Sequence, residues 1–157
     1  YMLDRVDFPL TTSQISEFIL DKGYTTYFRL QSALAELTDS GLLKIELTHN
    51  RTLYNLTEEG AATINYFRNK ISPEIRQEID NFINEKKYDL KEEVSVKSDY
   101  YLNTNHEYEV KCQILENGSH LIDMTLTVPT QTEAEAIVNN WNRKNQEIYA
   151  LLLSQLL

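Results

Sequence analysis

Across residues 11–60 the spacing of apolar residues changes from helical to alternating, and that succession narrows the fold more than any other feature of the chain. Thr11 with Gln14 three residues on is a capping-box signature for a helix start. Ile15, Phe18 and Ile19 then recur at helical spacing, and Gly23 is placed to end the helix in the left-handed conformation. Thr25 and Thr26 precede a second helix over residues 27–39, whose buried face is expected at Leu30, Ala33, Leu34 and Leu37. Ser40-Gly41 stops it. Leu43, Ile45 and Leu47 next alternate with Lys44, Glu46 and Thr48, the two-residue period of a half-buried strand. His49-Asn50-Arg51 turns the chain, and residues 52–56 return as the partner strand with Tyr54 and Leu56 facing in. Thr57 caps a third helix, with Glu58 and Glu59 at the positive end of its dipole.

The flanks extend the pattern. Residues 1–6 read as the tail of a first helix, so the chain opens inside an expected helix, which points to a trimmed start. Pro9 disfavours helix at Phe8 and makes residues 8–10 an extended connector. Ile64, Phe67 and Ile71 form the stripe of the third helix. Pro73 opens a linking helix with Ile75, Ile79, Phe82, Ile83 and Leu90 on one face. From Val94 the period becomes two. Val94, Val96 and Tyr100 mark one strand, Tyr108, Val110, Cys112 and Ile114 a second, and Ile122, Met124, Leu126 and Val128 a third. Asn117-Gly118 is a hairpin signal between the last two, and residues 103–106 are a looser turn. Thr130 and Glu133 form a capping box for a long final helix with Ala134, Ile137, Val138, Trp141 and Ile148 on one stripe. Three strands with one apolar face need a cover, and this helix supplies it. The expected class is α+β, with domains at residues 1–70 and 71–157.

Charge limits what the chain binds. The net charge is −9; residues 1–70 carry 7 Lys+Arg against 9 Asp+Glu, and residues 71–157 carry 8 against 15. The balance argues against indiscriminate nucleic-acid binding and leaves room for a local basic edge in the first part. A lone Cys112 forms no intrachain disulfide and fits a reducing compartment, and no apolar run reaches membrane-spanning length. A cytoplasmic location without membrane attachment is expected. His49, His106, His120 and Cys112 lack metal-ligand spacing. Cys112 alternates with Val110 and Ile114 as a small buried hydrophobe. Glu92, Glu93, Glu133 and Glu135 read as solvated helix acids. No metal, no cofactor and no enzymatic activity are expected.

The strings Ser40-Gly41-Leu42-Leu43 and Leu56-Thr57-Glu58-Glu59-Gly60 resemble those of winged helix-turn-helix regulators of the multidrug-resistance and phenolic-acid repressor type. The whole chain is similar to an uncharacterised bacterial family with an N-terminal winged helix and an α/β C-terminal domain. The resemblance implies a winged helix-turn-helix over residues 1–70, a linking helix, and a C-terminal meander under a long helix that serves dimerisation or an effector. It implies a DNA-binding transcriptional regulator that reads double-stranded DNA with the helix at 26–39 and the wing at 48–52. Thr25, Thr26, Tyr27, Arg29, Gln31 and Ser32 lie at the start of that helix, and their types bond phosphates and base edges. Lys44, His49 and Arg51 belong to the hairpin, and Lys22 is a further nearby cation. The alternative is a winged-helix protein-interaction module without DNA contact. A positive stripe through Arg29, Lys44 and Arg51 would favour the first, and an apolar or acidic surface there the second. Residues 148–157 are apolar around most of the helix, which points to a homodimer contact in the C-terminal half.

Overall fold

The computed structural model describes residues 1–48, 51–116 and 119–157 and divides them into two compact units, Tyr1–Val94 and Ser95–Leu157. The architecture is α+β, with a three-stranded antiparallel sheet in each unit.

The first unit runs from a 3-10 turn (Leu3–Arg5) through β1 (Leu10–Thr11), α1 (Thr12–Asp21), α2 (Tyr27–Asp39), β2 (Leu43–Leu47), β3 (Thr52–Leu56), α3 (Glu58–Phe67), a second 3-10 turn (Arg68–Lys70) and α4 (Pro73–Ser95). The capping box at α1 is complete: Gln14 N donates to Thr11 Oγ1 at 3.1 Å, and Thr11 N donates to Gln14 Oε1 at 2.9 Å. Gly23 ends the helix region at φ +68°, where an L side chain is strained. The extended connector forms β1, so the sheet order is β1-β3-β2, with Leu10 opposite Tyr54 and Ile45 opposite Tyr54 on the other side. Leu10, Ile15, Phe18, Leu30, Leu34, Leu43, Tyr54, Ile79, Ile83 and Leu90 are buried in one core cluster.

Several expectations shift. Residues 1–6 yield only a single 3-10 turn. Ala33 and Leu37 are exposed while Leu30 and Leu34 are buried. On β2 only Leu43 is buried, and Ile45 and Leu47 are 39% and 69% exposed. As the outer strand, β2 has a neighbour on one edge only, and its alternation does not bring its far end against the core. The chain divides at the end of α4 rather than at residue 70, because Ile79, Ile83 and Leu90 of α4 share the core of α1 and α2. Val94, expected to open the first strand of the meander, is instead buried in the last turn of α4, and the strand starts at Val96.

The second unit holds β4 (Val96–Leu102), β5 (Tyr108–Glu116), β6 (Ser119–Val128) and α5 (Gln131–Leu156). The meander pairs β4-β5-β6 in sequence order, with Val96 opposite Ile114 and Cys112 opposite Met124. The Asn117-Gly118 turn lies outside the described residues, and the flanking pair Glu116–Ser119 is in register. The Thr130–Glu133 capping box starts α5, whose Ala134, Val138 and Trp141 bury themselves on Val110 and Cys112. Asn145, one turn beyond Trp141, is buried as well and donates from Nδ2 to Trp141 O at 3.0 Å. Leu151 and Leu156 near the end of α5 are 60% and 78% exposed.

Candidate functional site

The site is built on α2 and the hairpin of β2 and β3. Helix α2 buries Leu30 and Leu34, and this fixes by helical period which residues face out. Thr26 occupies the cap position without a side-chain hydrogen bond to the helix, and Thr26, Tyr27, Phe28, Arg29 and Ser32 are exposed at its first turns. Thr25 is half-buried. Gln31 is half-buried, and its Nε2 is a buried donor with no hydrogen-bond partner among the described residues. Phe28 is 81% exposed and stacks edge-on against Tyr27 with centroids 5.9 Å apart. Sequence reasoning passed over Phe28 because a Phe is ordinarily core. The signal was present, since position 28 falls off the stripe of Leu30 and Leu34.

The cations divide into engaged and available. Lys22 Nζ lies 3.4 Å from Glu78 Oε2, and Tyr24 donates its hydroxyl to the same carboxylate. That bond pushes the Tyr24 phenol up to about 12 and holds Glu78 below the usual carboxylate range. Arg5 and Arg68 are tied to Asp80 and Asp4 at 2.7 and 2.6 Å. Arg29 and Lys44 are exposed and carry no ion pair to a described residue. His49 lies outside the described residues.

Arg51 is not the free hairpin-tip cation that its position suggests. Its Nη1 donates to Glu93 O at 2.6 Å, in the last turn of α4. The carbonyls there form the negative end of the helix dipole, a favourable seat for a guanidinium. Arg51 also lines a polar cleft of about 500 Å³ together with Thr12 and Ser13 at the start of α1, Thr48, Thr52 and Glu93. The cleft gathers hydroxyls, an Arg, the amide end of a helix and the Glu93 carboxylate. Gln14 Nε2 holds that carboxylate at 2.8 Å.

No three His, Cys, Asp or Glu among the described residues cluster as a metal site, and no helix among them is long and apolar enough to cross a membrane. Cys112 is fully buried, and burial pushes its thiol up to about 11. Its place against Val110, Ala134 and Trp141 is that of a packing residue.

Neither the curated proteins nor the solved structures gave a match to this chain. A family model does match, described as a domain of unknown function, DUF4364, and it spans residues 1–156; with α2, the hairpin and the meander all inside that span, the chain belongs to this family.

Proposed function

We propose that the protein is a dimeric, cytoplasmic, winged helix-turn-helix transcriptional regulator that binds double-stranded DNA through α2. The observation that carries this reading is the exposed first turns of α2. Thr26, Tyr27, Arg29 and Ser32 stand free of the core behind a buried Leu30–Leu34 stripe, and the paired strands β2 and β3 follow directly. A helix presented in this way reads base edges with its N-terminal side chains. Arg29 suits guanine, the hydroxyls suit either base type, and the Phe28 ring suits a thymine methyl. Thr25 supports backbone contacts at the helix start. Lys44 meets phosphate from β2. Arg51 acts through its cleft beside the start of α1, where a phosphate oxygen would meet hydroxyls and helix amides.

Few cations are available for this work, so affinity is modest and salt-sensitive. The test is binding of wild type, Arg29→Ala and Lys44→Ala to a pool of native promoter fragments at low and moderate salt. Loss of sequence preference in Arg29→Ala and uniform weakening in Lys44→Ala are the expected pair of results. Wild-type protein that recovers no fragment at low salt overturns the reading.

A second reading, a protein-interaction module on the same surface, draws on a specific observation. Phe28 and Leu47 are 81% and 69% exposed, and both lie on the elements that would face DNA. Phe28→Ala separates the two readings: it abolishes binding to a protein partner and only alters sequence preference for DNA.

The exposed Leu151 and Leu156 support the dimer, because α5 carries more apolar surface than its own sheet covers.

A further inference from the structure

Strand β6 leaves its outer edge open. It is the last strand of the β4-β5-β6 sheet and pairs with β5 alone among the described residues. An edge strand presents a row of backbone N–H and C=O groups, and proteins blunt such edges by shortening them, charging them or breaking them with Pro. The other edge, β4, is seven residues long and carries Lys97 and Asp99. By contrast, β6 is ten residues long, holds no Pro, Lys or Arg, and has a single carboxylate, Asp123.

The apolar row of β6 is also short of cover. Leu126 lies opposite Val110 and so shares its face, yet Val110 is 0% exposed and Leu126 is 40% exposed. The reason is where α5 sits. Ser98 Oγ donates to Asn142 Oδ1 at 3.3 Å, and the Tyr100 hydroxyl donates to Glu135 Oε1 at 3.1 Å. The helix therefore leans on β4 and β5 and less on β6.

Charge selects the occupant of this edge. With −9 on every chain, two copies repel, and they meet with least repulsion where acids are few. Residues 119–128 carry a formal −1, from Asp123. That carboxylate is turned back on its own sheet, where it accepts from Gln113 Nε2 at 2.8 Å and lies 3.8 Å from Lys111 Nζ. Closure selects the geometry. Pairing β6 with β4 of the next copy is a head-to-tail contact that runs on to a ring or an open filament, whereas β6 on β6 closes at two copies. Antiparallel pairing about a two-fold axis at Met124 or Thr125 keeps both apolar rows on one face. It sets Asp123 opposite Thr125 or Thr127 rather than opposite its own counterpart, where like charges would destabilise the pair.

We propose, on the dimer reading above, that two copies of the chain join β6 to β6 in one six-stranded antiparallel sheet, with Ile122, Met124 and Leu126 along the seam. An edge about 33 Å long and about 10 Å deep offers roughly 330 Å², below the ~800 Å² per partner of a stable interface. Leu151 and Leu156 of α5, both exposed, supply apolar surface toward the remainder.

The test uses the full chain. Light scattering at micromolar concentration should give twice the chain mass. A mixed dimer of isotope-labelled and unlabelled chains should show intermolecular NMR cross-peaks among the methyls of Ile122, Met124 and Leu126. Leu126→Lys should raise the dimer Kd at least about tenfold by placing an unpaired charge in the seam, and Leu126→Met should stay near wild type. A monomeric wild type removes the dimer reading and the seam with it. A wild-type dimer without those cross-peaks overturns the seam and leaves the dimer reading standing, as does a folded Leu126→Lys chain that dimerises like wild type. Species that grow beyond twice the chain mass overturn the two-fold closure. The cross-peaks come from unsubstituted chains, so they decide the matter even if Leu126→Lys fails to fold.

Discussion

Gly60 shows how much one atom decides. A Cβ there would lie 2.2 Å from Leu42 O and 2.7 Å from Leu56 Cδ1, so α3 can sit this close to the Leu42–Leu56 region only through a glycine. Gly60→Ala should cost about 1–3 kcal/mol, the range for overpacking, and lower the urea midpoint. An unchanged midpoint would show that α3 does not pack this way. Thr57 does related work next door. Its Oγ1 accepts from Gly60 N at 3.0 Å and donates to Gly41 O at 2.8 Å. Thr57→Ala should cost about 1–2 kcal/mol, with Thr57→Ser close to wild type. Cys112 gives a pH signature. Its folded pKa is about 11 against an ordinary 9.0, so the unfolded thiol ionises first. The stability held by the buried neutral thiol is complete below pH 9 and is lost as pH rises through 11. Native protein should resist alkylation at pH 8 and react quickly once denatured, and Cys112→Ala should flatten the alkaline fall in stability.

At the scale of elements, α2 and α5 each present a face that the core does not use. The inner face of α2 is fixed by Leu30 and Leu34, so substitutions at Phe28, Arg29 and Ser32 should leave the thermal midpoint within about 2 °C while changing binding, since exposed substitutions fall within about ±0.5 kcal/mol. A large drop in midpoint for Phe28→Ala would mean that the ring packs in the fold and is not a contact residue. On α5 the apolar stripe splits in two. Ala134, Val138 and Trp141 serve the sheet, whereas Leu151 and Leu156 do not. Leu151→Glu with Leu156→Glu should turn a dimer into a monomer by light scattering with unchanged helicity. Trp141→Ala, by contrast, should cost about 3–5 kcal/mol and unfold the second unit at a lower temperature.

For the whole molecule, charge governs how it meets a polyanion. The net charge is −9, and Arg29 and Lys44 are the candidate-surface cations with no ion pair to a described residue. Two phosphate contacts per chain, from Lys44 and from Arg51 at its cleft, give a dimer a slope of log K against log salt of roughly −4, at about 0.9 per neutralised phosphate. Lys44→Ala should reduce that slope by about 2 in the dimer, again at about 0.9 per contact. Measurement by fluorescence anisotropy across a salt series checks both numbers. A slope near −10 would mean that cations outside α2 and the hairpin carry much of the contact.

Local rules left their marks in the sequence, and those were legible. The capping boxes at Thr11 and Thr130, the left-handed Gly23, the helical stripe of Leu30 and Leu34, and the alternation of Tyr108 to Ile114 each depend on residues within a turn or a strand of one another. They set the elements and the α+β class. Tertiary structure decided what depended on distant partners. Ile45 and Leu47 alternate as a buried strand would, yet the outer position of β2 leaves them in solvent. Arg51 reads as a loose hairpin cation until Glu93, 42 residues away, supplies a carbonyl. Helix α4 reads as a linker until Ile79 and Ile83 join the core of α1 and α2. Periodicity records which face of an element is apolar. Which neighbour covers that face, and whether any does, is set only when chain segments far apart in sequence meet.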